Sequence, residues 1–179
     1  NASVRAREKD RMSPRQAWRA IQVALPKNVI MSTDIGNNCA IGNAYPSFEQ
    51  GRKYLAPGMF GPCGYGFPAI IGAKIGQPDV PVVGFAGDGA FGISMNEMTS
   101  IGRKEWPAIT MVIFRNYQWG AEKRNTTLWY DNNFVGTELN PNLSYAKVAE
   151  GCGLKGVTVD TQEALTEALK TAIAEQMKG

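Results

Sequence analysis

The sequence predicts a doubly wound α/β fold, in which a mostly parallel sheet carries helices on both faces. Three observations favour this class. Strand-like and helix-like segments alternate along the chain, as in repeated strand–helix–strand units. Residues 80–86 and 109–114 are near-continuous apolar runs, typical of parallel strands that are covered on both faces. A Gly-Asp-Gly turn at 87–89 follows the first run, at the end of a strand where such sheets bind ligands.

The first half of the chain supplies three strand–helix segments. A helix is predicted to begin after Ser13, because Pro14 suits the first turn and Gln16 completes a capping box with the serine. Pro26 ends this helix. A short strand at 29–32, a polar loop at 33–38 and a small-residue helix follow. A weak strand at 54–56 and a Gly/Ala-rich helix at 64–75 precede the strand at 80–86.

The second half continues the alternation. A helix is predicted at 96–103, a strand at 109–114, a helix at 145–152 and a strand at 157–159. Asp160 and Glu163 are expected to cap a last helix whose apolar positions share one face. Those positions are Leu165, Leu169 and Ile173. The polar stretch at 117–143 shows little periodicity, and a loop of that length in a compact domain is often functional.

The size and charge of the chain indicate one domain preceded by a basic segment. The chain has 179 residues, 44% of them hydrophobic, which suits a single core. The net charge of +3 arises within residues 1–15, and the remainder is neutral. We interpret residues 1–12 as a linker or cloning remnant, and 13–179 as one domain of a longer enzyme. Without a basic-aromatic patch, a solvated linker is favoured over a nucleic-acid-binding segment.

Composition excludes several classes of site. The sequence contains no histidine, so histidine-based triads and histidine-ligated metals are excluded. Its three cysteines, Cys39, Cys63 and Cys152, have neither a disulfide framework's pairing nor a zinc site's spacing. A catalyst of this composition must use other side chains or a cofactor. No membrane-length apolar run or signal-peptide pattern is present, so we expect a cytoplasmic protein without a membrane partner.

A carboxylate and an amide are spaced to meet at one edge of the sheet. Asn116 lies 28 positions after Asp88, which leaves room for one helix and one further strand. Carboxylate and amide oxygens suit Mg²⁺ or Ca²⁺. The glycines that flank Asp88 allow backbone N–H groups to approach a phosphate at the start of the next helix.

This pattern resembles the fingerprint of thiamine diphosphate-dependent enzymes, a Gly-Asp-Gly followed later by Asn-Asn, here Arg115-Asn116. The resemblance runs from about Ser13 to the last helix, and is to the diphosphate-binding domain of pyruvate decarboxylase and acetolactate synthase relatives. It implies thiamine diphosphate and Mg²⁺ as cofactors. It also implies Asp88, Asn116 and the Gln118 carbonyl as metal ligands. The implied cofactor-binding residues are Asn37, Asn38, Gly61, Cys63, Asp88, Gly89, Ala90, Asn116, Gln118 and Gly120.

Two of these segments have alternative interpretations. Asn37 and Asn38 are implied donors to the diphosphate, but asparagines before a helix also form Asx-turn caps. In segment 61–68, the resemblance implies that the Gly61 carbonyl meets the 4′-amino group of the cofactor. Cys63 falls where relatives place a bulky apolar residue that bends the cofactor. Its alternative role is that of a small packing residue.

The segments 34–45 and 114–125 resemble the branch of the family that converts sulfoacetaldehyde and phosphate to acetyl phosphate and sulfite. Because both substrates are anions, we hypothesise that Arg115, Lys123 and Arg124 bind one of them. A solvated loop with Glu122 nearby is the alternative. An acetolactate synthase-like carboligase or a 2-oxoacid decarboxylase could contain the same domain. A nucleotide-binding regulatory module lacks support, since no Gly-x-Gly-x-x-Gly follows the first strand.

The resemblance also implies a partner. The family's activating glutamate belongs to a separate pyrimidine-binding domain of the same enzyme, usually supplied across a homodimer or homotetramer. No catalytic residue is therefore assigned within this chain, and we expect the chain alone to be inactive.

Overall fold

The computed structural model describes residues 12–48 and 53–178, and shows a four-stranded sheet. All strand pairings are parallel, and the strand order is β2-β1-β3-β4. The strands are β1 Ile30–Thr33, β2 Tyr54–Leu55, β3 Val82–Gly87 and β4 Thr110–Phe114. The predicted parallel sheet is confirmed. The predicted linker at 1–12 lies outside the described residues, apart from Met12.

Helices connect and flank the strands. They are α1 Pro14–Ala24, α2 Asn37–Gly42, α3 Gly66–Gly76, α4 Asp88–Ser94, α5 Met98–Ile101, α6 Gly120–Trp129, α7 Tyr145–Gly151 and α8 Gln162–Gln176. A 3₁₀ turn, Met95–Glu97, joins α4 to α5. The predicted capping box of α1 is confirmed: the Ser13 N–H donates to Gln16 Oε1 at 2.8 Å, and the Gln16 N–H to Ser13 Oγ at 3.3 Å.

Alternating strand residues divide the core between the two faces of the sheet. On one face α1 and α8 pack on β3 through the buried residues Trp18, Ile21, Val83, Phe85, Leu165, Leu169 and Ile173. On the other face α3, α4 and α5 pack on β3 through Phe67, Ile71, Ala86, Phe91, Met98 and Ile101. The period-2 alternation of a strand sends neighbouring side chains to opposite faces. The sheet is therefore covered on both faces, as the doubly wound class requires.

Three sequence predictions on local structure are wrong. The segment 157–159 forms no strand in the described part of the chain; Gly156, just before it, lies against α7, where a Cβ would overlap the Ala146 carbonyl oxygen. The N-cap of α8 is Thr161, whose Oγ1 accepts from the Ala164 N–H at 3.2 Å, so Asp160 is not the cap. The stretch 117–143 is not all loop, since it contains α6, a helix with no buried residue.

The sheet brings three polar segments to one edge. The register pairs Thr33 with Phe85 and Gly87 with Phe114, so β1, β3 and β4 end side by side. Asp34, Asp88 and Arg115 follow these three ends directly in the chain. In doubly wound sheets, ligands bind at this carboxyl edge. Within the described ranges no helix is both long and apolar enough to cross a membrane.

Candidate functional site

Asp88 is the buried centre of the carboxyl edge. It is the first residue of α4, directly after β3, and only 3% of its surface is exposed. Its Oδ2 accepts from the N–H of Tyr117 at 2.7 Å and of Asn116 at 3.2 Å, and its Oδ1 from the Gly89 N–H at 3.1 Å. The expected meeting of positions 88 and 116 is therefore observed, and three backbone donors fix both carboxylate oxygens.

Burial raises the pKa of Asp88 above its ordinary value, whereas the N–H groups of Tyr117, Gly89 and Asn116 act to lower it. Desolvation disfavours the charged form, and hydrogen bonds to that form favour it. No ion pair joins Asp88 to a lysine or arginine among residues 12–48 and 53–178. A bound cation would supply the countercharge that this site does not obtain from a side chain.

The turn after β4 holds its shape through an unusual backbone conformation. Tyr117 has a φ of 62°, in the left-handed region that non-glycine residues seldom adopt. Asn116 Oδ1 accepts from the Gln118 N–H at 3.2 Å. The turn is also paired with a later segment, since the Trp119 N–H donates to the Thr137 carbonyl at 2.8 Å. Strained backbone conformations of this kind often occur at functional sites.

Gly120 and Gly89 lie where side chains from other segments approach closely. A Cβ at Gly120 would lie 2.7 Å from Asn116 Nδ2 and 3.0 Å from Asn37 Nδ2. The two amides therefore meet over this glycine, although they are 79 positions apart in the sequence. A Cβ at Gly89 would lie 2.8 Å from the Trp119 ring. The indole thus lies against the first turn of α4, whose N–H groups lack acceptors inside the helix. Ala90 is buried in the same turn.

Asn37 and Asn38 have different surroundings. The Nδ2 of Asn38, which is 7% exposed, donates to Thr33 Oγ1 at 3.1 Å and to the Asp34 carbonyl at 2.9 Å. Asn37 is exposed and its amide faces Gly120. Neither asparagine is the N-cap of α2, a position that Gly36 occupies without a side-chain hydrogen bond. The Asx-cap alternative is therefore wrong, and Asn37 has the more accessible amide.

The segment that contains Gly61 and Cys63 lies beside the loop after β1. Gly61 has a φ of 60°, and a Cβ there would lie 3.2 Å from the Ile35 side chain. Cys63 is exposed. Partial desolvation raises the pKa of the Cys63 thiol, and the carboxylates of Asp34 and Glu122 act in the same direction.

The three predicted anion-binding residues differ in their partners. Arg115 Nη2 donates to the Pro141 carbonyl at 2.9 Å and also to the Leu143 carbonyl, and its guanidinium lies 4.4 Å from the centroid of the Tyr117 ring. Lys123 forms an ion pair with Glu138. Arg124 is exposed and makes no ion pair with any of the described residues. Of the three, Arg124 is thus the one whose charge faces solvent.

Sequence reasoning did not single out Asp34 or Tyr145. Asp34 is fully buried and its carboxylate accepts three backbone hydrogen bonds. The Tyr145 hydroxyl donates to the Asp88 carbonyl at 2.7 Å. A signal existed for Asp34, because a carboxylate directly after β1 parallels Asp88 after β3. The sequence carries no signal for Tyr145, because its partner Asp88 lies 57 positions earlier in the chain.

The donor set fits a hard divalent cation. A carboxylate, an amide oxygen and a backbone carbonyl are ligands that Mg²⁺ accepts, with water or phosphate oxygens completing its shell. Among residues 12–48 and 53–178 no group of three or more Cys, Asp and Glu side chains could hold a metal. The described chain thus offers hard oxygen ligands but no soft thiolate cluster.

Replacing Gly120 by alanine tests whether the amides over this glycine matter. In the full-length enzyme we expect Gly120→Ala to weaken cofactor binding about tenfold, since overpacking costs about 1–3 kcal/mol. The displaced atoms are side-chain ends, so the fold should persist. Gly72→Ala is the control, because nothing lies within 4 Å of its Cβ and the exposed helix position favours alanine. Equal cofactor affinity in both variants, measured by titration, would contradict the role of Gly120.

Comparisons with known proteins agree with this geometry. Residues 34–178 match the family model of the thiamine pyrophosphate enzyme, C-terminal TPP binding domain, where TPP is another name for thiamine diphosphate. The whole chain is 87% identical to a probable sulfoacetaldehyde acetyltransferase of Rhizobium meliloti (strain 1021). It is 70% identical to a sulfoacetaldehyde acetyltransferase of Roseovarius nubinhibens. The chain spans 30% of the length of each of these relatives.

A solved structure supports the fold. The thiamine diphosphate-dependent 4-hydroxybenzoylformate decarboxylase of Rhodococcus jostii RHA1 superposes with a TM-score of 0.85 at 24% identity, over 93% of this chain and 31% of that one. At this identity the likeness concerns the fold alone. The family match, which covers most of the chain, is the stronger finding. On these grounds the chain belongs to the thiamine pyrophosphate enzymes, as their C-terminal TPP-binding domain.

Proposed function

We propose that residues 13–179 form the diphosphate-binding domain of a longer, cytoplasmic sulfoacetaldehyde acetyltransferase. In this reaction, the C–S bond of sulfoacetaldehyde breaks and sulfite leaves with the bonding electrons. The aldehyde carbon loses its hydrogen as a proton and the methylene carbon gains a proton, and the acetyl group so formed is transferred to phosphate. The observation that carries the proposal is the 87% identity, over the whole chain, to a relative named a probable sulfoacetaldehyde acetyltransferase. The meeting of Asp88 and Asn116 supports the cofactor chemistry that this reaction requires.

Mg²⁺ would bind to the Asp88 carboxylate, the Asn116 amide oxygen and the Gln118 carbonyl. When bound, thiamine diphosphate supplies a nucleophilic carbon and an electron sink, which the side chains of this chain do not provide. The N–H groups of Gly89 and Ala90 would contact the diphosphate. Asn37, Asn38 and Gly120 would lie beside it, and Gly61 and Cys63 would face the ring portion of the cofactor.

The residues of this chain contribute orientation and charge. The three N–H donors hold the Asp88 carboxylate in one place before a cation arrives, which reduces the reorganisation that binding requires. Tyr145 fixes the backbone carbonyl of the same residue. A buried carboxylate without a side-chain counterion attracts a divalent cation, and the cation in turn attracts the diphosphate.

We further propose that Arg115, Lys123 and Arg124 attract the anionic substrates. Sulfonate and phosphate are both tetrahedral oxyanions, and a guanidinium can hold either through two parallel hydrogen bonds. The exposed position of Arg124 on α6 supports this role most directly. The hydrogen bonds of Arg115 to two carbonyls make it also a support for the segment before Tyr145.

Exposed apolar side chains beside the site support a partner domain. Met59 and Phe60, just before Gly61, are 95% and 98% exposed. Leu128 and Trp129, at the end of α6, are also exposed. Soluble proteins seldom leave such groups of apolar side chains in water unless they form an interface. We propose that the pyrimidine-binding domain of the same enzyme covers them, across a homodimer or homotetramer, and brings the activating glutamate.

A product assay tests the proposed function. The full-length enzyme with Mg²⁺ and thiamine diphosphate should form acetyl phosphate and sulfite in equal amounts from sulfoacetaldehyde and phosphate. Residues 13–179 alone should form neither, because the activating glutamate is absent. Consumption of pyruvate in place of sulfoacetaldehyde would favour the carboligase or decarboxylase alternative. Turnover by the isolated chain would contradict the need for a partner domain.

A further inference from the structure

The buried Asp34 carboxylate has no part in the function proposed above, yet it adjoins the same edge of the sheet. It is 0% exposed and makes no ion pair with any residue among 12–48 and 53–178. We propose that Asp34 is a positioning residue, which locks segment 61–66 onto the end of β1 and thereby places Gly61 and Cys63 against the cofactor ring. This inference rests on the proposed function, which supplies the ligand that these two residues would contact.

Three backbone donors converge on the carboxylate. Asp34 Oδ1 accepts from the Ile35 N–H at 2.9 Å and from the Gly64 N–H at 3.0 Å, and Oδ2 accepts from the Gly66 N–H at 2.8 Å. An ionised group out of water requires such donors, because an unsatisfied buried charge is very costly. If segment 61–66 moved away, the carboxylate would lose two of these three bonds, and Oδ2 would lose its bond to Gly66. Both oxygens therefore tie this segment to the strand end.

The glycines of the segment fit this one arrangement. Gly64 has a φ of 87°, which side-chain-bearing residues rarely adopt. A Cβ at Gly66 would lie 2.8 Å from the Asp34 backbone nitrogen, so only glycine permits the approach. The buried Ser32 hydroxyl donates to the Gly66 carbonyl at 2.7 Å. Gly66 is thus held through both its N–H and its carbonyl by residues of one strand end.

The backbone and the side chain of Asp34 serve different halves of the site. Its N–H donates to the Phe85 carbonyl at 2.8 Å, and its carbonyl accepts from Asn38 Nδ2 at 2.9 Å. These backbone contacts support the part of the site that would hold the diphosphate. The carboxylate contacts segment 61–66, which would lie against the ring portion of the cofactor. A change confined to the carboxylate should therefore weaken contacts with the ring and spare contacts with the diphosphate.

The experiment compares two ligands in the full-length Asp34→Asn enzyme. An asparagine has one acceptor oxygen and places an NH₂ group against a backbone donor. Because charge-assisted bonds are lost, we expect the dissociation constant of thiamine diphosphate with Mg²⁺ to rise about tenfold. That of inorganic diphosphate, measured by competition, should change by less than about twofold. Hydrogen exchange at the Gly64 and Gly66 amides should accelerate about tenfold or more in the variant without cofactor.

Two further variants separate positioning from a general loss of structure. Ser32→Ala removes one hydrogen bond to Gly66. It should raise the dissociation constant of thiamine diphosphate and accelerate exchange at the two glycine amides, but less than Asp34→Asn does. Asp160→Asn, at an exposed position, should shift neither. Equal weakening of thiamine diphosphate and inorganic diphosphate would overturn the inference, as would unchanged exchange at the two glycine amides. If the wild-type enzyme binds no thiamine diphosphate, the proposed function fails, and the exchange measurement still decides whether Asp34 locks the segment.

Discussion

In the full-length enzyme, Asp88→Asn is expected to abolish Mg²⁺-dependent binding of thiamine diphosphate at concentrations that saturate the wild type. The substitution removes the negative charge that lies between α4 and the turn after β4. Loss of residues that merely support metal ligands costs about ten- to a hundredfold in affinity, so loss of a ligand should cost roughly a hundredfold or more. Titration followed by fluorescence or calorimetry measures this change. Asp160→Asn provides the control, and similar affinities for both variants would refute a metal-binding role for Asp88.

The same carboxylate should give cofactor binding a dependence on pH. Because burial raises the pKa of Asp88, its protonation should begin above the ordinary carboxyl range, which is centred at about 3.9. Protons and Mg²⁺ compete for the ionised group, so affinity for the cofactor should fall as pH decreases. In the chain without cofactor, the raised pKa means that Asp88 adds to the free energy of unfolding at pH values below its ordinary pKa. This contribution is lost as the pH rises through the pKa of Asp88 in the folded chain. A higher Mg²⁺ concentration should shift the loss of cofactor binding to lower pH.

Substitutions of the three residues proposed to bind the anionic substrates are expected to have the second largest effect. Arg124→Ala should raise the Michaelis constant for phosphate or sulfoacetaldehyde about tenfold, because a charge-assisted hydrogen bond to the anion contributes roughly 1.5–3 kcal/mol. Lys123→Ala should act in the same direction, and Arg115→Asn should weaken use of the anion most. Cofactor affinity should stay nearly constant in Arg124→Ala and Lys123→Ala. Steady-state kinetics with each substrate varied in turn measures these effects.

The partners of these residues make Arg124 the most diagnostic of the three. Arg115 also holds two carbonyls, so its substitution should lower the free energy of unfolding as well. Arg19→Ala is a matched control, because this arginine is exposed on α1. If all three variants kept wild-type kinetics for both substrates, the three residues would belong to a solvated loop, and the hypothesis of anion binding would be wrong.

Features set by neighbours in the sequence could be predicted. The start of α1 depends on Ser13 and Gln16, three positions apart, and the capping box is confirmed. The strands at 82–87 and 110–114 are apolar because helices cover both faces of the sheet. Leu165, Leu169 and Ile173 share a buried face of α8, as their spacing indicates. The meeting of positions 88 and 116 was predicted from a spacing that allows one helix and one strand, and it is observed although two short helices and a 3₁₀ turn precede β4.

Features set by distant or absent contacts could not be predicted. α6 has a polar sequence without an apolar stripe, so periodicity could not reveal it. α4 begins at Asp88, earlier than the helix predicted at 96–103, because Gly89 and Gly92 lower the helix propensity of a segment that packing stabilises. The proposed role of Asp34 depends on donors 30 and 32 positions away, Gly64 and Gly66. Such pairs become evident only when the sheet is assembled.

The central claim is that the carboxyl edge around Asp88 and Asn116 holds the metal and the diphosphate of the cofactor. The most direct measurement is a crystal structure of the full-length enzyme with thiamine diphosphate and Mn²⁺ in place of Mg²⁺, located by its anomalous scattering. We predict one Mn²⁺ within about 2.0–2.6 Å of an Asp88 carboxylate oxygen, the Asn116 amide oxygen and the Gln118 carbonyl. The diphosphate should lie beside Gly89 and Gly120. A cofactor bound elsewhere, with no metal at Asp88, would contradict the claim.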